Sequence, residues 1–243
     1  MKEVRVTDLG TIEKSVIACK RCPELRSYCS DIALTKKPAY RDDEYWAKPV
    51  PAFGDPKARV MLVGLAPGAH GSNRTGRMFT GDASGDFLYP ALFRAGFASQ
   101  PNAVHARDGM QLTDCIITAA ERCAPPKNKP TPRQLKNCFP YLVEEIEILR
   151  GARVVVGLGS IGFNAAANAL KSLGFVFQDN VRPKFGHGAE YRAHNGRRVV
   201  ALLGCYHPSR QNTNTGVLSA SMLDSVLERA KYLASPRRRV STP

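Results

Sequence analysis

Arg59-Val60-Met61-Leu62-Val63-Gly64-Leu65 is a short, nearly unbroken apolar run that leads directly into Ala66-Pro67-Gly68-Ala69-His70-Gly71. A strand buried on both faces reads this way, because neither face has to present polar side chains to water. Runs of the same character follow at residues 112–118, 153–158 and 198–203. Helical patterns lie between them. Thr131-Pro132-Arg133-Gln134 combines a capping box with proline at the first helical position. The apolar positions after it, Leu135, Cys138, Leu142, Ile146 and Leu149, recur at spacings of three and four, and Pro140 is expected to kink the helix. A further helix starts near Ser160, and the last spans residues 216–233. Strands alternating with helices define an α/β fold with a mostly parallel sheet covered on both faces. Such folds place ligands in the loops beyond the carboxyl ends of their strands.

With 243 residues, of which 43% are hydrophobic, the chain can bury a substantial core within one domain. The expected organisation is a single domain over residues 1–235 and a basic, disordered tail over 236–243, which carries Arg237, Arg238 and Arg239. No apolar run reaches the ~18 residues of a membrane span. Residues 1–10 lack the apolar stretch of a signal peptide, so the expected location is the cytoplasm. Lys and Arg number 35 against 21 Asp and Glu, a formal charge of +14. A balance this basic attracts polyanions, of which nucleic acid is the commonest.

The seven cysteines are odd in number, and without an export signal they do not read as a disulfide framework. Cys19 and Cys22 form a C-x2-C pair, and Cys123 and Cys138 a C-x14-C pair. Four such thiols can complete a tetrahedral metal site or hold an iron–sulfur cluster. Spacing alone puts zinc ahead of iron and leaves open that Cys138 is simply core. Cys29, Cys115 and Cys205 are poorer ligand candidates.

After the first strand the chain passes through a glycine-punctuated loop containing Asn73, Arg74, Arg77 and Phe79, then reaches Asp82. Backbone amides in such a loop can approach a ligand closely, and its cations suit phosphates. Asp82 also reads as the ordinary cap of a following helix. The last strand ends at Tyr206-His207-Pro208-Ser209-Arg210-Gln211-Asn212, which puts His207 at a strand's carboxyl end ahead of a polar loop. Gly157-Leu158-Gly159-Ser160-Ile161-Gly162 matches a dinucleotide fingerprint but sits on the third strand. Close packing of a helix on the sheet is the better use of those glycines.

Together, residues 64–85, the segment Arg122-Cys123-Ala124-Pro125-Pro126-Lys127-Asn128-Lys129-Pro130, the loop 207–216 and the four paired cysteines resemble the family 5 uracil-DNA glycosylases. These are the bacterial and archaeal iron–sulfur branch of the uracil-DNA glycosylase superfamily. The resemblance implies a three-layer α/β/α sandwich around a four-stranded, mainly parallel sheet. It also implies a [4Fe-4S] cluster on Cys19, Cys22, Cys123 and Cys138, with zinc as the alternative. The implied activity is excision of uracil, hypoxanthine or other deaminated bases from DNA. No lysine stands out as an amine nucleophile, so base removal without strand cleavage is expected; a monomer is the default assembly, and no membrane partner is expected. Asp82, Asn128 and His207 are the implied catalytic residues, and Ala66, Gly68 and Phe79 the base-binding ones. Arg74, Arg77, Ser209, Arg210, Gln211 and Asn212 are expected on the DNA. A non-catalytic nucleic-acid binder with a structural metal centre is the alternative function.

Overall fold

The computed structural model describes residues 8–235. The basic segment 236–243 and residues 1–7 lie outside them. In chain order the elements are α1 (Leu9–Ile17), α2 (Pro23–Thr35), β1 (Phe53–Gly54), β2 (Val60–Gly64), α3 (Ser72–Thr75), α4 (Ala83–Arg94), β3 (Cys115–Ala119) and α5 (Pro132–Ile148). They continue with β4 (Val154–Leu158), α6 (Gly159–Ser172), β5 (Val176–Phe177), β6 (Glu190–His194), β7 (Val199–Cys205), α7 (Arg210–Asn214) and α8 (Ala220–Ala234). Among the described residues no helix is long and apolar enough to cross a membrane.

The four apolar runs become β2, β3, β4 and β7, which pair parallel in the order β3-β2-β4-β7. Among the described residues the sheet nevertheless has seven strands, not four. β1 adds antiparallel to β3, while β6 and then β5 extend the other edge antiparallel. β1 and β5 are two residues each, and β6 reads Glu190-Tyr191-Arg192-Ala193-His194 with a single buried position. Edge strands solvated on one side carry no continuous apolar signal.

Successive residues of β2 point to opposite faces. Val60 and Leu62 join Leu88 and Leu92 of α4 and Leu223 and Leu227 of α8 in one core. Met61 and Val63 join Leu142 and Ile146 of α5 and Phe163 and Leu170 of α6 in the other. These are the three layers. The glycine fingerprint serves this packing: a Cβ on Gly162 would run into the Val63 carbonyl, and one on Gly157 into the Phe163 backbone.

Helix α5 has the full capping box, with Thr131 accepting from the Gln134 N–H and Gln134 accepting from the Thr131 N–H at 2.8 Å. It runs as one helix through Pro140. Glu145 on α5 accepts from Thr118 of β3 at 2.7 Å and from Arg122 just beyond β3, also at 2.7 Å. Both ionic side chains are 1% exposed. Removing one partner of such a pair leaves an uncompensated charge in the core. Glu145→Leu is therefore expected to lower unfolding stability by about 3–5 kcal/mol, read as a drop in the urea midpoint. An unchanged midpoint would show that the pair holds nothing together.

Candidate active site at the carboxyl edge of the sheet

Gly64 pairs with Ala119 and Leu158 with Cys205, so the parallel strands end along one edge, and the loops after β2, β3 and β7 leave from it. The β2 loop folds back on itself, with the Gly71 and Asn73 N–H groups donating to the Gly68 carbonyl. It ends at Asp82, which caps α4 by accepting from the Ser84 N–H at 3.0 Å and the Gly85 N–H at 3.2 Å. The other carboxylate oxygen lies against Gly68 and Gly71. A Cβ on Gly68 would stand 2.7 Å from Asp82 Oδ2, and one on Gly71 would collide with the carboxylate. Burial raises the Asp82 pKa above the ordinary carboxylate value, against the lowering effect of its two backbone N–H donors. Asp82 is thus both a helix cap and a partly desolvated acid in the loop.

Phe79 lies three residues upstream at φ +53, in the left-handed region that a bulky side chain rarely adopts. Its ring fits against Gly64, where a Cβ would sit 2.8 Å from Phe79 Cε2. The ring also packs against that of His207, with 5.8 Å between centroids and 33° between planes. His207 follows β7. Its carbonyl accepts from Asn212 Nδ2 at 2.9 Å, and Ser209 caps α7 by accepting from the Asn212 N–H at 3.3 Å. Burial pushes the His207 pKa down to about 4. Asn128 comes from the third loop, where Lys127 and Asn128 sit consecutively at φ +55 and +56. Phe79 and Asn128 both line the cavity, and left-handed non-glycine backbone recurs where geometry serves chemistry.

Asp82, Asn128, His207, Ala66, Gly68 and Phe79 all line one cavity of about 760 Å³, with Ser209, Arg210 and Gln211 at the α7 side. Asn212 lies outside the lining and holds the His207 loop in place. Arg74 and Arg77, expected to face DNA, point into the protein instead. Arg77 is 4% exposed and makes two 2.7 Å bonds to Asp108. Arg74 donates to Asp43 at 2.6 Å and to the carbonyls of His70 and Gly81, each at 2.8 Å. Both arginines brace the loop. Sequence reasoning missed Lys37, Tyr40 and His70, which complete the cavity wall. His70 stood in the glycine loop without a role, whereas nothing in the 37–40 segment signals its position.

The paired cysteines converge beside this cavity. Cys22 and Cys123 share a buried cluster with Leu25, Cys29 and Ala124. The Cys138 Sγ donates to Glu121 Oε1 at 2.9 Å, and the same oxygen accepts from the Cys123 N–H. Arg21 donates to the Asn137 carbonyl at 2.9 Å, Asn137 Nδ2 donates back to the Arg21 carbonyl, and the same Nδ2 lies 3.2 Å from Cys22 Sγ. Cys19 packs beside Tyr141 one turn along α5. Thiols from two distant segments are therefore tied into one corner, a donor set that suits a soft metal. Among the described residues no group of three or more His, Cys, Asp or Glu stands at the spacing that holds a metal ion. Cys29, set aside on spacing, is fully buried in the same corner.

The sheet, the three carboxyl-edge loops and the cavity define a class. The uracil DNA glycosylase superfamily model matches residues 51–231, and the chain belongs to that superfamily. Within it the chain is 48% identical over 227 residues to the type-5 uracil-DNA glycosylase of Thermus thermophilus, across 93% of this chain and 99% of the relative. It is 46% identical over 215 residues to the type-5 enzyme of Pyrobaculum aerophilum, across 88% of each. A type-4 uracil-DNA glycosylase of Pyrobaculum aerophilum is 37% identical over 159 residues, 65% of this chain. The chain is a member of the type-5 family.

His207 generates a pH prediction. Its folded pKa is below the unfolded value of 6.5, so between those values the unfolded chain binds the proton and the folded chain does not. Its contribution to stability is fully present above pH 6.5 and is lost as pH falls towards about 4. Nitrogen-15 NMR of the imidazole is expected to find it neutral at pH 6, with proton uptake centred near 4. A midpoint at the unfolded value would contradict the buried, neutral ring.

Proposed function

We propose that the chain hydrolyses the N-glycosidic bond of uracil in DNA, leaving an abasic site, with the cavity of Asp82, Asn128, His207 and Phe79 as its active site. The observation that carries this reading is the meeting of those four side chains, from three separate loops, around one cavity in a member of the type-5 family. A base stacked in a duplex is out of reach and must be extruded, at a cost of about a few kcal/mol. Phe79 offers its ring to the extruded base, and Ala66 and Gly68 leave room beside it. As the bond from C1′ to the base nitrogen breaks, the sugar becomes cationic and the base anionic. The Asp82 carboxylate stabilises the cationic sugar and orients the water whose oxygen bonds to C1′, the proton that water releases ending on the departing base anion. His207, neutral, donates a hydrogen bond to the base oxygen and stabilises the departing anion. Asn128 positions base or water at the same place. Leu65 and Ala66, just beyond β2, bear no group able to activate water, which leaves that work to Asp82, Asn128 or His207.

Hypoxanthine and other deaminated bases belong to the same proposal. So do phosphate and groove contacts by Ser209, Arg210, Gln211 and Asn212, and a monomer acting alone on DNA. Lys37 is exposed at the rim, unlike the desolvated lysines that serve as amine nucleophiles. Base loss without strand scission is the accompanying expectation. We also propose a [4Fe-4S] cluster held by Cys19, Cys22, Cys123 and Cys138. Such a cluster would order the loops beside the DNA and take no part in bond breaking.

Incubation with a panel of lesion-bearing oligonucleotides, followed by alkali, tests the reaction. Cleavage at uracil after alkali and none before it is expected. Intact strands after alkali, from folded protein, would refute the proposal. Iron and sulfide analysis of the purified protein is expected to return four of each per chain. A colourless, zinc-loaded and active protein would refute the cluster.

A further inference from the structure

The cavity extends well beyond the residues that handle the base. Its outer wall is Lys37, Tyr40 and His70, none of which the reaction above uses. The Tyr40 ring lies under the Arg74 guanidinium at 3.9 Å. It stacks on His70 at 6.5 Å between centroids and 30° between planes. His70 is fixed in turn by a 2.9 Å hydrogen bond to Tyr45 and by Tyr45's ring edge. Arg74 has its nitrogens committed to Asp43, His70 and Gly81, so it is a rigid backing for the ring and is not aimed at a phosphate. The strap carrying these rings is bound to the loop, with the Trp46 N–H donating to the Arg74 carbonyl and the Ala47 N–H to the Asn73 carbonyl. Phe79 is 8% exposed at the inner end, whereas Tyr40 is half-buried and Lys37 exposed at the rim.

We propose that Tyr40, backed by Arg74 and flanked by His70, is a stacking platform for the nucleotide adjacent to the extruded one, with Lys37 as that nucleotide's phosphate contact. A rigid, cation-backed aromatic face beside a lysine is the combination that holds single-stranded nucleic acid without reading its sequence. Extruding one base unstacks its neighbour. A surface that captures the neighbour at the mouth offsets part of that cost, and the sequence tolerance of stacking suits a repair enzyme that meets its lesion in any context. This platform rests on the glycosylase reading, because it presumes an extruded base in the inner cavity.

The test places 2-aminopurine directly 5′ or 3′ of a tetrahydrofuran abasic analogue in duplex DNA and follows its fluorescence on binding. In the wild-type complex, fluorescence at one of the two positions is expected to stay quenched by Tyr40. It should rise severalfold in Tyr40→Ala and in Tyr40→Leu, which fills the space over Arg74 without an aromatic face, and return to quenched in Tyr40→Phe. Uracil excision by Tyr40→Leu should show KM raised about tenfold with kcat little changed. Lys37→Ala should lower the salt dependence of binding by about one phosphate contact. Equal fluorescence in wild type and both non-aromatic variants at both positions, with uracil still excised, overturns the platform alone. Failure of the wild type to bind the analogue or to excise uracil overturns the platform and the glycosylase reading together.

Discussion

The contact between the Asp82 carboxylate and the bare backbone at Gly68 and Gly71 is the constraint on which the rest of the site depends. One oxygen of that carboxylate closes the first turn of α4, satisfying two N–H groups that a helix cannot satisfy internally. The other lies where a side chain on either glycine would have to be. The β2 loop can therefore lie this close to the α4 terminus only while those two positions carry no side chain. The N-terminal end of a helix favours negative charge, while burial pushes the other way and dominates at this group. The outcome is a carboxylate pinned in position yet poorly hydrated, the condition under which it interacts most strongly with a cation forming beside it.

His207 is set up by the opposite device. Its ring packs against Phe79, and burial keeps it neutral through the physiological range. A neutral imidazole can donate a hydrogen bond to a developing anion without adding a full positive charge near the cationic sugar. The loops that bear these groups are braced from behind. Arg74 and Arg77 tie the glycine loop to Asp43 and Asp108, Asn212 holds the His207 carbonyl, and the cysteine corner anchors the Asn128 turn just downstream of Cys123. In the proposed reaction the chemistry falls to few side chains, and many others fix their positions.

The layered core was legible in the sequence because the four parallel strands are buried on both faces and so are written as continuous apolar runs. The capping box of α5 was legible because both of its halves lie within four residues. The edge strands were not, since two-residue strands and the half-solvated β6 leave no periodicity to read. Arginine direction was equally hidden. Arg74 and Arg77 carry the composition of a phosphate-binding loop, but their partners Asp43 and Asp108 lie 31 residues away on either side. Tyr40 and Lys37 reach the cavity by a strap whose local sequence says nothing about its destination. Asp82 could be read as a cap or as an acid, and it is a cap whose second oxygen is free to face the cavity.

In the proposed reaction Asp82 acts through its charge and not through its cap. Asn caps a helix as well as Asp does, so Asp82→Asn removes the charge and keeps the geometry. Single-turnover excision of uracil by this variant, with its melting temperature measured alongside, separates the two roles. A rate lower by at least about a hundredfold, an essentially unchanged melting temperature and undiminished binding to abasic DNA are expected. A near-normal rate in the folded variant would contradict a role for the charge.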